Sequence, residues 1–233
     1  MDLTTLDLKV LKIALKLNTS SPAAISLHTQ LPESRVSESL KRLGIGHGSD
    51  LDRRKLTEAA LKWLERSRAF EEVSRSLSWE LFEIMVARML EETGLKVYRN
   101  ITVTSDHKRA QLDILALKGD VVYLIECKRW MRSLSGSLAL NEARKLKARM
   151  NLFCRALIGL LGSGDVTHYI IPILVSPYTS PAISEVFITP LRALNSLLAE
   201  HPLTLPSPPV NKLKLGRKLE PQLLKSSKVK VGH

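Results

Sequence analysis

The run Val121-Val122-Tyr123-Leu124-Ile125-Glu126-Cys127-Lys128 ends an apolar stretch with a carboxylate and an ammonium. Its β-branched and aromatic content reads as a strand. Side chains alternate along a strand, so Glu126 and Lys128 share one face while Ile125 and Cys127 share the other. Such a charged pair is costly to bury unless it is given partners. Gln111-Leu112-Asp113-Ile114-Leu115-Ala116-Leu117 reads as the adjacent strand and supplies a second carboxylate, Asp113. Two carboxylates and a lysine then converge. That trio can hold a hard divalent cation and position a water for attack on a phosphodiester. An edge-strand salt bridge would present the same residues.

The segment Ser78 to Gly94 reads as a helix, with a capping serine at its start and a stop glycine at its end. On a helical wheel Trp79, Phe82, Val86 and Leu90 form one apolar stripe, and Glu83 falls inside it. Glu80, Arg88, Glu91 and Glu92 point elsewhere, as a solvated face should. A glutamate facing a core must find a cation, a metal or several donors. A structural pair between Glu83 and Lys128 or an arginine is the alternative.

On these residues the stretch from about Ser78 to His201 resembles the restriction-endonuclease-like nucleases with the PD-(D/E)xK motif, above all their Mrr-type and archaeal junction-resolvase-type branches. The matching pieces are Phe82-Glu83…Leu90…Gly94, then Leu112-Asp113-Ile114-Leu115-Ala116, then Ile125-Glu126-Cys127-Lys128-Arg129-Trp130. A long helix, a strand around His168–Ser176, a short strand Glu185–Ile188 and a closing helix follow in the family's order. Ala110-Gln111-Leu112 stands where a glycine is often seen, and no proline precedes Asp113. The resemblance implies Asp113 and Glu126 as metal ligands and Glu83 as a helix-borne ligand or water anchor. It implies Lys128 as the residue orienting the nucleophilic water.

A formal charge of +12 points to a polyanionic partner or surface. The two cysteines, Cys127 and Cys154, do not make a disulfide scaffold and suit a reducing compartment. No apolar run approaches a membrane span, and the first residues lack the regions of a secretion signal. A cytoplasmic protein is expected. A Walker loop and a zinc-spaced His/Cys set are both missing from the sequence.

The amino-terminal third reads as helices over Asp7–Lys16, Ser21–Thr29 and from Leu31-Pro32-Glu33-Ser34 to about Leu43. Their short connections suggest a helix-turn-helix, with Arg35, Lys41 and Arg42 on the third helix suited to DNA contact. Gly44-Ile45-Gly46-His47-Gly48, the basic turn Arg53-Arg54-Lys55 and a helix from Leu56 resemble an abbreviated winged-helix domain of the MarR or ArsR kind. A helical bundle used for dimerisation or packing fits the same pattern.

After the motif, Ser133-Leu134-Ser135-Gly136-Ser137 reads as a loop. A helix from Leu140 to Leu161 follows, with a basic edge of Arg144, Lys145, Lys147, Arg149 and Arg155. That edge is either a phosphate contact or a solvated face. Arg129 and Trp130, just beyond the motif, are further candidates for DNA contact, although Trp130 equally suits a core edge. From Pro202 the composition shifts to proline, leucine and lysine, which reads as a mobile basic arm.

The expected fold is α/β: a restriction-endonuclease-like mixed central sheet flanked by helices, preceded by a small all-α or winged-helix domain. The expected divisions are 1–70, 71–201 and a basic tail at 202–233. The expected activity is hydrolysis of DNA by an endonuclease using Mg²⁺, with Mn²⁺ as substitute, on restriction-type or branched substrates, by a homodimer. A DNA-binding regulator that no longer cuts is the rival reading, and RNA as the substrate is not excluded.

Overall fold

The computed structural model describes residues 4–46, 55–56, 58–60, 78–130, 136–199, 202–204, 208–220 and 229–231. The chain divides into two compact units, Met1–Met85 and Val86–His233.

The first unit opens with the helices α1 (Thr5–Leu17), α2 (Pro22–Thr29) and α3 (Glu33–Arg42). Thr4 caps α1 in a reciprocal capping box with Asp7. Ser21 caps α2, whose first residue is Pro22, as the Ser-Pro start requires. The α2–α3 turn is short. Gln30 takes a left-handed conformation there, and the Ser26 hydroxyl donates to the Leu31 carbonyl at 2.6 Å. Val10, Leu11, Ala14, Leu15, Ile25, Val36 and Leu40 form the buried interior. Most of the expected wing, with Arg53 and Arg54, lies outside the described residues.

Helix α4 (Trp79–Glu92) carries the stripe read from the sequence, with one correction. Phe82, Val86 and Leu90 are buried, but Trp79 is exposed, and Leu81 and Met85 fill the interior instead. Trp79 is the first residue of the helix, so it has no preceding turn to pack against.

Among the described residues the second unit is built on an eight-stranded mixed sheet with the order β5-β6-β4-β3-β2-β1-β8, and β7 also pairs with β4. The strands are β1 (Lys96–Ser105), β2 (Lys108–Lys118), β3 (Val121–Cys127), β4 (Val166–Ser176), β5 (Ala182–Ile183), β6 (Phe187–Pro190), β7 (Asn211–Leu215) and β8 (Val229–Val231). Strands β1, β2 and β3 pair antiparallel in succession, while β3, β4 and β6 are mutually parallel. Joining parallel neighbours takes a crossover, and α5 (Gly136–Leu161) supplies it between β3 and β4. Helix α6 (Leu194–Ala199) follows the last parallel strand. This is the mixed α/β architecture of the restriction-endonuclease-like fold, a central sheet flanked by helices.

Helix α5 packs against one face of the sheet through Ala143, Leu146, Met150, Phe153 and Leu157, which meet Leu115, Leu117, Val122 and Leu124. It begins at Gly136, so Gly136 and Ser137 belong to the helix rather than to the expected loop.

The carboxy-terminal stretch is not a mobile arm where it is described. In β7, Leu213 and Leu215 are buried and alternate with exposed Lys212 and Lys214, a half-buried strand pattern. The strand lies antiparallel along Val166–Ile170 of β4. Just beyond it the Leu219 N–H donates to Nε2 of buried His168 at 3.2 Å. Burial holds that imidazole below its ordinary pKa, so it is neutral and free to accept.

Two glycines let β7 approach the end of α5. A Cβ on Gly164 would lie 2.6 Å from the Cα of Gly216 and 2.9 Å from the Leu215 carbonyl oxygen. Gly216 donates its N–H to the Gly162 carbonyl at 2.9 Å across this contact. The replacement Gly164→Ala is therefore expected to destabilise the second unit by roughly 1–3 kcal/mol through overpacking. Urea unfolding monitored on this unit checks it, and an unchanged midpoint would count against so close a contact.

Candidate active site

Strands β2 and β3 bring Asp113 and Glu126 side by side. Pairing runs from Lys118↔Val121 to Ile114↔Ile125, so the next step of the register sets Asp113 against Glu126. Val122 and Leu124 face α5, and alternation turns Glu126 to the same side. Strand β2 is irregular at this point. Its register with β1 passes from Arg99↔Ile114 to Ile101↔Leu112, skipping Asn100 opposite Asp113, and Asn100 is left-handed at φ 53°. Both Leu112 and Leu115 pack into the α5-side core, so the alternation shifts across Asp113 and Ile114. Such a break re-aims a side chain.

The Asp113 carboxylate accepts the Cys127 N–H at 2.8 Å, which ties it to the end of β3. Glu126 has both oxygens engaged: Lys128 Nζ lies 2.7 Å from Oε1, and the Arg149 guanidinium donates to Oε2. Lys128 Nζ also lies 3.4 Å from Glu142, which in turn holds Lys145 at 2.6 Å. Arg149 and Glu142 come from α5, two turns apart on one face. The site is thus a buried pair of carboxylates ringed by alternating cations and a third, half-buried acid.

The charges are tuned accordingly. Burial raises the Asp113 pKa to about 6, and the negative charge of Glu126 adds to the rise. The Cys127 N–H, Lys128 and Arg149 pull the other way and do not prevail. Burial lowers the Lys128 pKa, but the carboxylates of Glu126, Glu142 and Asp113 outweigh it and raise it above the ordinary lysine value. Lys128 is therefore a fixed cation at neutral pH and not a proton acceptor.

Glu83 is buried on α4, within the first unit, whereas Asp113, Glu126 and Lys128 belong to the second. Among the described residues, no three His, Cys, Asp or Glu side chains are grouped to hold a metal ion. The oxygen donors that suit a hard cation here are the two carboxylates of Asp113 and Glu126. Mg²⁺ is commonly held by one or two carboxylates, with water and substrate phosphates completing its shell. The donor set fits that ion.

The candidate DNA contacts differ in exposure. Arg35 and Lys41 are exposed on α3, but the Arg42 guanidinium is drawn inward to Asp7 at 2.8 Å, so its expected role at a DNA surface is corrected to a structural one. Lys55 and Arg129 are exposed, as is Arg144, while Lys147 is half-buried. Trp130 packs against the α5-side core. Glu142 escaped the sequence reading, and Arg149 appeared there only as part of a basic edge. A signal existed: both interrupt the stripe of Ala143, Leu146, Met150 and Phe153 that faces the sheet.

Comparison with known families bears on this geometry. Residues 80–147 match the archaeal Holliday junction resolvase family. The match spans α4, the three antiparallel strands and the first part of α5, and so includes Glu83, Asp113, Glu126, Lys128 and Glu142. That family is one of PD-(D/E)xK-like nucleases. A crystal structure of AF1548, a protein of unknown function, is similar at 22% identity, covering 51% of this chain and 53% of that one, with a TM-score of 0.31. The chain thus spans about half the length of that protein. Among curated proteins, none matches. Among the described residues, no helix is long and apolar enough to cross a membrane.

Proposed function

We propose that this protein is a divalent-metal-dependent endonuclease that cleaves branched DNA. The observation that carries the reading is the buried pair Asp113 and Glu126 beside protonated Lys128, within a segment matching a junction-resolvase family. In this reading Asp113 and Glu126 hold Mg²⁺, for which Mn²⁺ substitutes. Bound there, the ion would neutralise charge on the scissile phosphate and lower the pKa of a water. Lys128 orients the attacking water and stabilises the charge that develops in the transition state. Glu142 keeps the lysine aimed, and the Cys127 N–H keeps Asp113 facing the same spot. Paired cuts in two strands need two such sites, so the working form is a homodimer. The exposed lysines and arginines supply sequence-independent affinity for the phosphate backbone.

The test is a panel of four-way, flapped, duplex and single-stranded DNA, incubated with Mg²⁺, with Mn²⁺ and with chelator. Cleavage of the branched substrates in either metal, and none with chelator, is expected. The rate should fall as the pH drops below about 6, where Asp113 takes up a proton and metal binding must displace it. Tight binding with no cleavage of any substrate would favour a DNA-binding regulator built on the same fold.

A further inference from the structure

Arg149 does not lie along a solvated edge of α5; it reaches across to Glu126. Resting on the nuclease reading above, we propose that Arg149 is a displaceable counter-ion, a stand-in for metal charge that keeps the metal affinity of the free protein low. Glu126 is buried, and its two oxygens carry one cation each. A divalent ion drawn to this carboxylate meets the positive charge already seated at each oxygen, and the more weakly held of the two cations is the one it displaces.

The two cations are not equally tied. Lys128 has a second carboxylate, Glu142, and its backbone N–H is fixed to the Val175 carbonyl at 2.8 Å. Arg149 has Glu126 as its ion-pair partner among the described residues, and its side chain is 29% exposed. Its long arm can swing into solvent while the helix stays in place. Arg149 therefore leaves when metal enters, and Lys128 stays where hydrolysis needs it. Displacing a charge-assisted hydrogen bond subtracts from the metal's binding free energy. On the nuclease reading, the freed guanidinium is also available to a DNA phosphate, a group that its planar fork matches. Arg149 is thus a positioning residue, acting through Glu126.

The experiment titrates Mn²⁺ alone into the full chain by calorimetry, without DNA. Arg149→Ala and the milder Arg149→Gln are each expected to bind Mn²⁺ about tenfold more tightly than the wild type, the worth of one such bond. A merely structural arginine would give unchanged or weaker binding in its variants. Either of those results, in variants whose circular dichroism matches the wild type, overturns the counter-ion role. Glu126→Gln should bind Mn²⁺ far more weakly in both backgrounds. If neither the wild type nor the Arg149 variants bind Mn²⁺, the metal-centre reading fails along with the inference. Tight Mn²⁺ binding that is indifferent to Arg149 sinks the inference alone.

Discussion

Glu126→Gln should lower the single-turnover rate of branched-DNA cleavage by about three orders of magnitude while leaving DNA affinity intact. Glutamine keeps the shape of the side chain and one acceptor oxygen but removes the charge. Both the donor set for a hard cation and the partner that aims Lys128 Nζ at 2.7 Å are then lost. Lys128→Ala should cost a similar factor by a different route, because it leaves the carboxylates in place and removes the cation beside them. The two variants separate in a metal titration. Raising Mn²⁺ should recover part of the activity of Glu126→Gln and none of that of Lys128→Ala. DNA binding should hold or tighten slightly in Glu126→Gln, since the change removes a negative charge from a strongly basic protein. Cleavage at the wild-type rate by either variant would end the catalytic assignment.

The second large effect is expected far from that chemistry, in the first unit. Asp7 is fully buried and accepts from the Thr4 N–H at 2.8 Å, the Thr4 hydroxyl at 2.9 Å and the Ser39 hydroxyl at 2.6 Å. Arg42 adds bonds through Nε and Nη2, the latter at 2.8 Å. One carboxylate thereby joins the start of α1 to the end of α3. Asp7→Ala removes the shared acceptor of the Thr4 and Ser39 hydroxyls and the short ion pair of Arg42, and should destabilise this unit by roughly 3 kcal/mol. Burial alone would raise the Asp7 pKa, but Arg42, Ser39 and Thr4 together hold it below the usual aspartate value. A carboxyl with a depressed folded pKa stabilises above its unfolded pKa and loses that contribution as the pH falls through the folded value. The gap in urea midpoint between wild type and Asp7→Asn should accordingly be wide at pH 7 and close below about pH 4. A gap that persists unchanged in acid would mean that packing, not charge, holds the contact.

How much of this was written in the sequence depends on the range of the interaction. Alternation along β3 sufficed to put Glu126 and Lys128 on one face, because strand geometry is local. Leu213 and Leu215 carried the same period-two signal for β7, but over only five residues and among prolines and lysines whose composition equally suits an unpaired arm. The helical period likewise marked Glu83 as buried. What no local rule could supply was the partner. That Arg42 would turn to Asp7, and Arg149 to Glu126, depends on which helix lies over which neighbour. The shift at Asp113 was similarly hidden, since strict alternation is the assumption that left-handed Asn100 breaks.

Strand β8 pairs with Ile101–Val103 of β1, although nearly all of the second unit lies between them in the chain. On a ribosome, β1 emerges long before this neighbour has been translated. Its outer row of amides and carbonyls must wait exposed meanwhile, the kind of flank that recruits stray strands. Late closure of so distant a pair makes slow maturation, and a need for protection during synthesis, a built-in cost of this topology.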